Sequence, residues 1–471
     1  MHDRAVIKQI ISKFAREGYS IHPKALRALT SVRNVDEVIK KVCSSISHPV
    51  VRYEDIMSVI ESEKVQEDYH EIKILKDVSG NSRCEGDVND FVQLFNSRFI
   101  KLKNILRTRV SGVPIQHAKR LPQGRRIQII AMVSDIRESS SGHRLIECED
   151  PTGTITGIAV KGSQAFQQAV NLLPDEVVGI SGNLTRDGLF IIEEIVYPDI
   201  PANGRKIVRR DFSVIFTSDI HFGSKEFLED VWNRFILWLN GEVGEGKFLE
   251  LAESVRYILV AGDIVDGVGI YPGQDSELSI VDVYEQYEKA AEEFDRIPKR
   301  IRIILSPGNH DAVRQAEPQP ALPQEIRSLF SSNVEFVGNP ALVELSGLRV
   351  EMYHGRSLDD LMTMLPSVDY SKPHVAMFEL LRKRHLAPVY GSRSLLAPEK
   401  EDYLVIEEIP DVLHSGHVHT FGYGIYRGVL AVNSGTWQSQ TSFQKKMNLN
   451  PMPGYVAVFN PAKGMAKLKF A

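Results

Sequence analysis

Five short segments in the second half of the chain carry residues of related chemistry: Ser218-Asp219-Ile220-His221, Gly262-Asp263, Gly308-Asn309-His310-Asp311, Tyr353-His354-Gly355 and Gly416-His417-Val418-His419. As candidate ligands they supply two carboxylates, one neutral amide oxygen and four imidazoles. That inventory suits two borderline divalent metals holding a phosphate between them. Each segment alone also has a plainer role. Asp-x-His serves as a capping pair, Gly-Asn-His-Asp as a turn, and the remaining histidines as satisfied core groups. The ordered set points instead to a metal-dependent phosphoesterase.

The elements before these segments support that chemistry. Residues 212–216, 257–261 and 301–305 are short, apolar, branched-rich runs, the pattern of strands buried on both faces of a mostly parallel sheet. Each ends in its motif. Side chains at the carboxyl ends of such strands converge on one crevice. Residues 348–353 deliver His354 in the same way, and residues 403–406 with a turn at Pro410-Asp411 lead to the last pair. In an extended Gly-His-x-His segment the two imidazoles share a face, and the glycine lets the backbone come close to the metals.

In order and type the set resembles the calcineurin-like metallophosphoesterases, over residues 211–471. The resemblance implies one metal held by Asp219, His221 and His419, another by Asn309, His354 and His417, and Asp263 bridging. It also implies that His310 reaches the scissile phosphate. Physical chemistry is consistent with those roles. A bridging carboxylate holds two dications about 3.5 to 4 Å apart. Two anionic ligands leave the pair a net charge of about +2, which favours an anionic phosphodiester. Manganese, magnesium, iron or zinc all suit imidazole and carboxylate donors.

Two further segments narrow the resemblance. Arg384-His385-Leu386-Ala387-Pro388 with Tyr390-Gly391, and Trp437-Gln438 with Gln440-Thr441 and Phe443-Gln444, are similar to the small subunit of archaeal family-D DNA polymerases. That implies a 3′-to-5′ exonuclease that proofreads for a separate large polymerase subunit, acting on single-stranded 3′ ends or mispaired primer termini. A free-standing phosphoesterase and a non-catalytic scaffold are the alternatives; the complete ligand set argues against the scaffold. Arg382, Lys383 and Arg384 read either as a contact to a phosphate backbone or as a solvated face at a helix end. Trp437 and Phe443 read as an interface with the large subunit, with core packing the other role open to Trp437.

The rest of the chain divides into a helical module (1–65), a linker and connecting helix (66–122), an OB-fold β-barrel (123–202) and the phosphoesterase domain (203–471), an α/β sandwich. Val6, Ile7, Ile10, Ile11 and Phe14, then Val35, Val38, Ile39 and Val42 after Asn34, recur at helical spacing with Gly18 between. This module is expected to recruit a partner such as a sliding clamp or another replisome protein. Residues 79–87 read as a flexible linker, and 90–107 as an amphipathic helix. From 125 to 197 five strand-like runs, turns at 139–143, 151–153 and Asp187-Gly188, and a short helix after Gly162 give the OB order. Phe190 and Tyr197 are its few aromatics, which favours packing or subunit contact over base stacking. Lys206, Arg209 and Arg210 read as part of a nucleic-acid path or as a solvated joint.

Composition sets the outer bounds. The chain has 471 residues, 43% hydrophobic and 25% charged, which are globular values. Cys43, Cys84 and Cys148 show no metal spacing, and no apolar run approaches a membrane span. A cytoplasmic protein away from membranes is expected. The net charge of −5 means that DNA binding must rest on local features or on a partner.

Overall fold

The computed structural model describes residues 3–29, 35–46, 48–59, 71–122, 124–185, 189–202 and 210–471. The chain splits into two compact units, Met1–Glu71 and Ile72–Ala471. Asn34, Asp187, Gly188, Lys206 and Arg209 lie outside the described residues.

In the first unit, helices Asp3–Arg16, Pro23–Leu29 and Val35–Ser45 enclose a core that includes Ile10, Phe14, Leu29, Val38, Ile39 and Val42. Ile11, on the same helix as Ile10, faces outward. Gly18, at φ +85°, ends the first helix. A short parallel ladder, Ser20–Ile21 with Val50–Val51, joins the helices in a way their periodicity does not reveal.

The second unit begins with a strand. Ile72–Asp77 pairs antiparallel with Ala341–Leu345, at the edge of a six-stranded sheet. The segment after it is tied down and is not a flexible linker. Ser82 and the Arg83 amide donate to Glu399, Arg314 donates to the Ser82 hydroxyl, and the Glu85 and Gly86 amides donate to Asp90. Its glycines and small polar residues hid this, because the partners lie far away in sequence. Helix Val88–Leu106 is capped by Asp87, which accepts from the Asp90 amide at 2.8 Å.

The barrel closes in the order Arg126–Glu138, Arg144–Asp150, Gly153–Ala159, Phe190–Val196, Val177–Leu184, with the last strand pairing back to the first. This is the OB-fold arrangement. The short helix Gln164–Gln168 stands between the third and fourth strands in chain order, its first turn capped by Ser163. Phe190 and Tyr197 are buried, and the barrel docks on helix Pro373–Lys383. There Lys383 pairs with Glu176 at 2.7 Å, and the Arg382 guanidinium lies 4.0 Å above the Tyr197 ring.

Two six-stranded sheets form a sandwich. One runs Val334–Phe336, Arg302–Ser306, Val255–Ala261, Ser213–Thr217, Tyr455–Asn460, Gly464–Lys469, its first four strands parallel. The other runs Phe421–Tyr426, Val429–Ser434, Val412–Ser415, Leu348–Met352, Ala341–Leu345, Ile72–Asp77. Four of the motif-bearing strands fall where their apolar runs place them. The fifth differs: residues 403–406 form no strand, and Val412–Ser415 carries the last pair instead. Leu404, Val405 and Ile406 are apolar because they are buried against residues 384–386, to which they bond irregularly. In Val412–Ser415, His414 and Ser415 mask a strand buried on both faces.

Candidate metal centre

The ligand-bearing loops follow Ser213–Thr217, Val255–Ala261, Arg302–Ser306, Leu348–Met352 and Val412–Ser415, and they meet where the two sheets face each other. Asp219, His221, Asp263, His417 and His419 all have positive φ, between +51° and +69°. Non-glycine residues avoid this region, at a cost of about 1 kcal/mol or more each, and it clusters at functional sites. Here it is held by hydrogen bonds between loops: the Asp219 amide donates to Gly262 (3.0 Å), and the Trp437 amide donates to the Asp219 carbonyl (3.0 Å). A Cβ on Gly308 would collide with the Asp263 carboxylate, and one on Gly416 with that of Asp219. The motif glycines are thus needed for close approach.

The expected ligands form two donor clusters, Asp219 with His221 and His419, and Asp263 with His354 and His417, and a third cluster groups His221 with Asp266 and His310. Nε2 of His221 and Nε2 of His419 are 3.1 Å apart, and the latter is 3.4 Å from Asp219 Oδ1. Nε2 of His354 is 3.0 Å from Asn309 Oδ1 and 3.3 Å from Asp263 Oδ2. The same Asp263 oxygen is 3.9 Å from Nε2 of His221, so this carboxylate touches both clusters. All seven expected ligands are therefore brought together. Their nitrogen and oxygen donors, buried and converging in two sets around one shared carboxylate, fit two divalent metals.

What spacing did not reveal is the support behind the histidines. Each of the four candidate imidazoles has a polar group beside its second nitrogen: His221 Nδ1 lies 3.0 Å from an Asp266 oxygen, His354 Nδ1 meets the Ala261 carbonyl (2.8 Å), His417 Nε2 meets Asp359 (3.1 Å), and His419 Nδ1 meets the Gln444 amide (2.8 Å). Such partners fix ring orientation and tautomer. Asp266 is itself held by Gln438 and Gln274, each at 3.0 Å. Asp311 accepts from the Gly308 and Ile264 amides and from the Tyr287 hydroxyl, locking the Asn309 loop against the Asp263 loop. Burial and the nearby Asp263 charge push the Asp311 pKa up to about 6. The sequence signal that was available is Asp266 itself, three residues after Asp263 on one loop.

Burial would lower the imidazole pKa of His221 and His354, but the surrounding carboxylates outweigh it. Asp266 with Asp263 raises His221 to about 9, and Asp263 with Asp219 raises His354 to about 10. A metal must displace those protons. Asp266 and Asp359 place two further carboxylates behind the imidazoles, with the Arg393 charge acting on Asp359.

His310 lies at the cleft. Its amide donates to Asp263 Oδ1 at 2.8 Å and its Nδ1 donates to the Asp266 carbonyl at 2.7 Å, leaving Nε2 as the other ring nitrogen. Its ring stands edge-on to His221, with centroids 4.8 Å apart.

The segment after the last motif braces this centre. Thr436 donates to the Asp219 carbonyl (2.9 Å), Gln438 holds Asp266, and Gln444 meets His419. Trp437 is 1% exposed, donates Nε1 to Thr217 Oγ1 at 2.7 Å, and packs on Trp232 and Phe235. It belongs to the core and not to an interface: a large ring beside a buried hydroxyl acceptor gains more from burial than from solvent. Phe443 is 51% exposed and lines the metal cleft, a cavity of about 210 Å³. A second cavity of about 750 Å³ adjoins it across Tyr370 and Leu449 and carries Arg393.

The basic run before the fifth motif is not a phosphate path. Lys383, Arg384 and His385 are buried. Arg384 donates to the carbonyls of Ile406 (2.6 Å) and Glu407 (2.7 Å), and His385 bonds Asp402 (2.9 Å). Charge is visible in a sequence and burial is not.

A family model for calcineurin-like phosphoesterase matches residues 212–421. A protein of Archaeoglobus fulgidus described as a DNA polymerase II small subunit is 49% identical over 481 residues, covering 98% of this chain and 97% of its own length. The protein of the same description from Methanothermobacter thermautotrophicus is 43% identical over 490 residues, covering 98% and 99%. That from Methanocaldococcus jannaschii is 44% identical over 392 residues, covering 82% of this chain and 66% of its own length.

Proposed function

The chain belongs to the family of archaeal DNA polymerase II small subunits, and from that premise we propose that it is a two-metal 3′-to-5′ exonuclease proofreading for a separate, larger synthesising subunit. The observation that carries this reading is the Asp263 carboxylate shared between two buried donor clusters. Asp219, His221 and His419 would hold one dication; Asn309, His354 and His417 would hold the other. When bound, the pair supplies positive charge to the phosphate and an acidified water as nucleophile. Manganese suits these donors, as do magnesium, iron and zinc.

The chain's own residues do the rest. Asp266, Asp359, Gln444 and the Ala261 carbonyl keep the imidazoles oriented, so that little reorganisation is needed when substrate arrives. His310, anchored through Nδ1–H, has Nε2 as its other ring nitrogen, which as the doubly protonated imidazolium donates to a phosphate oxygen or passes its proton to the leaving 3′ oxygen. The substrate is a single-stranded 3′ end or a frayed, mispaired primer terminus.

The partner is the large polymerase subunit, and the N-terminal unit recruits a sliding clamp or another replisome protein in the cytoplasm. Among the described residues, no helix is long and apolar enough to cross a membrane. One experiment tests the activity: the purified chain with manganese is offered a labelled single strand, a mononucleotide ester and a phosphopeptide. Stepwise shortening of the strand from its 3′ end is expected. Consumption of only the ester or the phosphopeptide would replace this reading with that of a general phosphoesterase.

A further inference from the structure

Beside the metal cleft, two aromatic rings lie outside the catalytic and bracing roles described above. Phe443 and Tyr271 are near parallel, with centroids 6.2 Å apart and planes 30° from each other, and both line the cleft with His310. Tyr271 lies edge-on to His310 at 6.4 Å. An apolar ring that is half exposed at the mouth of a polar site has a desolvation gain still to make.

The pair is held in place. Glu277 accepts from the Tyr271 hydroxyl at 3.1 Å and from the Ser442 hydroxyl, so one carboxylate joins both segments. Thr441 and Gln444 form a capping box around the short helix Ser442–Lys446, and Gln444 also reaches His419. Phe443 thus sits between a residue that caps its helix and a residue that braces a ligand. Exposed Lys445 and Lys446 follow on the same helix.

We propose that Phe443, backed by Tyr271, is a stacking platform for the base of the terminal nucleotide, so that the substrate is recognised by its planar base as well as by its phosphate. This rests on the nuclease reading above. A planar group joined through a sugar to a phosphate is the chemistry that fits a flat apolar ring lining the same cleft as the donor clusters. Stacking accepts any base because every base has a π-face.

Two measurements on the full chain test it. In the first, single strands ending in a normal nucleotide or in an abasic one are digested with manganese, and the ratio of kcat/KM for the two ends is compared. Wild type should prefer the base-bearing end; Phe443→Ala should shrink that preference about 10- to 100-fold, and Phe443→Trp should keep it. The second needs no metal: a strand with 2-aminopurine at its 3′ end is mixed with the metal-free protein. Quenching by wild type and its loss in Phe443→Ala are expected. A wild type without preference, or a preference and quenching untouched in Phe443→Ala, overturns the platform alone. A wild type that digests neither strand overturns the nuclease reading and the platform with it.

Discussion

Asp359 places a carboxylate oxygen 3.1 Å from Nε2 of His417 while its other oxygen accepts from the Tyr370 hydroxyl at 2.8 Å. Burial alone would raise the Asp359 pKa; His417 and Tyr370 together bring it down to about 2. With Nε2 so engaged, Nδ1 is the nitrogen His417 has left for the cluster of Asp263 and His354. Asp359→Asn should therefore weaken manganese binding at that cluster by about 10- to 100-fold while the other cluster keeps its affinity. Titration calorimetry checks this, and two unchanged binding steps would remove Asp359 from the centre.

Loss of the shared carboxylate should be far more severe. Asp263→Ala, like His417→Ala, is expected to lower nuclease turnover by at least about three powers of ten at saturating manganese, since both nucleophile and charge stabilisation depend on the metals. Chelation of wild type should do the same, and added manganese should reverse it. Circular dichroism should still show a folded chain, because neither side chain belongs to the apolar core. Substantial residual turnover in either variant would refute the assignment.

His310 is expected to behave differently. His310→Ala should keep both metals by elemental analysis and lose turnover, since its Nδ1 is spent on the Asp266 carbonyl and it stands on the substrate side. A protein that lost a metal would move His310 among the ligands.

The convergence of the seven candidate residues was legible because Asp, Asn and His in this order at strand ends suit little chemistry besides a pair of metals. Their supports were not. Asp359 and Gln444 come from a helix start and a capping box far along the chain, and no local pattern marks a residue whose partner is a distant histidine. Arg384 and His385 misled for the converse reason: their types suggest a solvent-facing cation path, yet both are enclosed by carbonyls and a carboxylate. The barrel was readable from alternation and turns. The run at 403–406 was not, because an apolar segment buried in a loop looks the same as a strand.

Trp437 and Phe443, six residues apart, should separate core from rim. Trp437→Ala removes a buried ring packed on Trp232 and Phe235 and should cost about 3 to 5 kcal/mol of stability. Phe443→Ala, half exposed, should change stability by no more than about 0.5 kcal/mol. Chemical denaturation decides; equal losses would place both rings in one core.

The last prediction concerns the fully buried Arg98, which donates Nε to Asp402 at 2.8 Å while His385 Nε2 meets the same carboxylate at 2.9 Å. Burial and the Arg98 charge lower the His385 pKa to about 4. The ring is therefore neutral: its Nδ1 accepts from the Ala387 amide at 3.0 Å, and its Nε2–H donates to Asp402. The ion pair is that of Arg98 and Asp402 alone. Because the unfolded chain protonates this histidine near pH 6.5 and the folded chain near 4, the unfolded state binds more protons between those values. Stability from this group is thus complete above pH 6.5 and is lost as pH falls toward 4, by about 3 kcal/mol. His385→Gln can still donate to Asp402 but cannot titrate. The stability difference between wild type and His385→Gln should shift against wild type by that amount from pH 7 to pH 4, other titrating groups cancelling. Urea denaturation at both pH values measures it, and a difference independent of pH would mean that His385 titrates in the folded protein as it does in the unfolded chain.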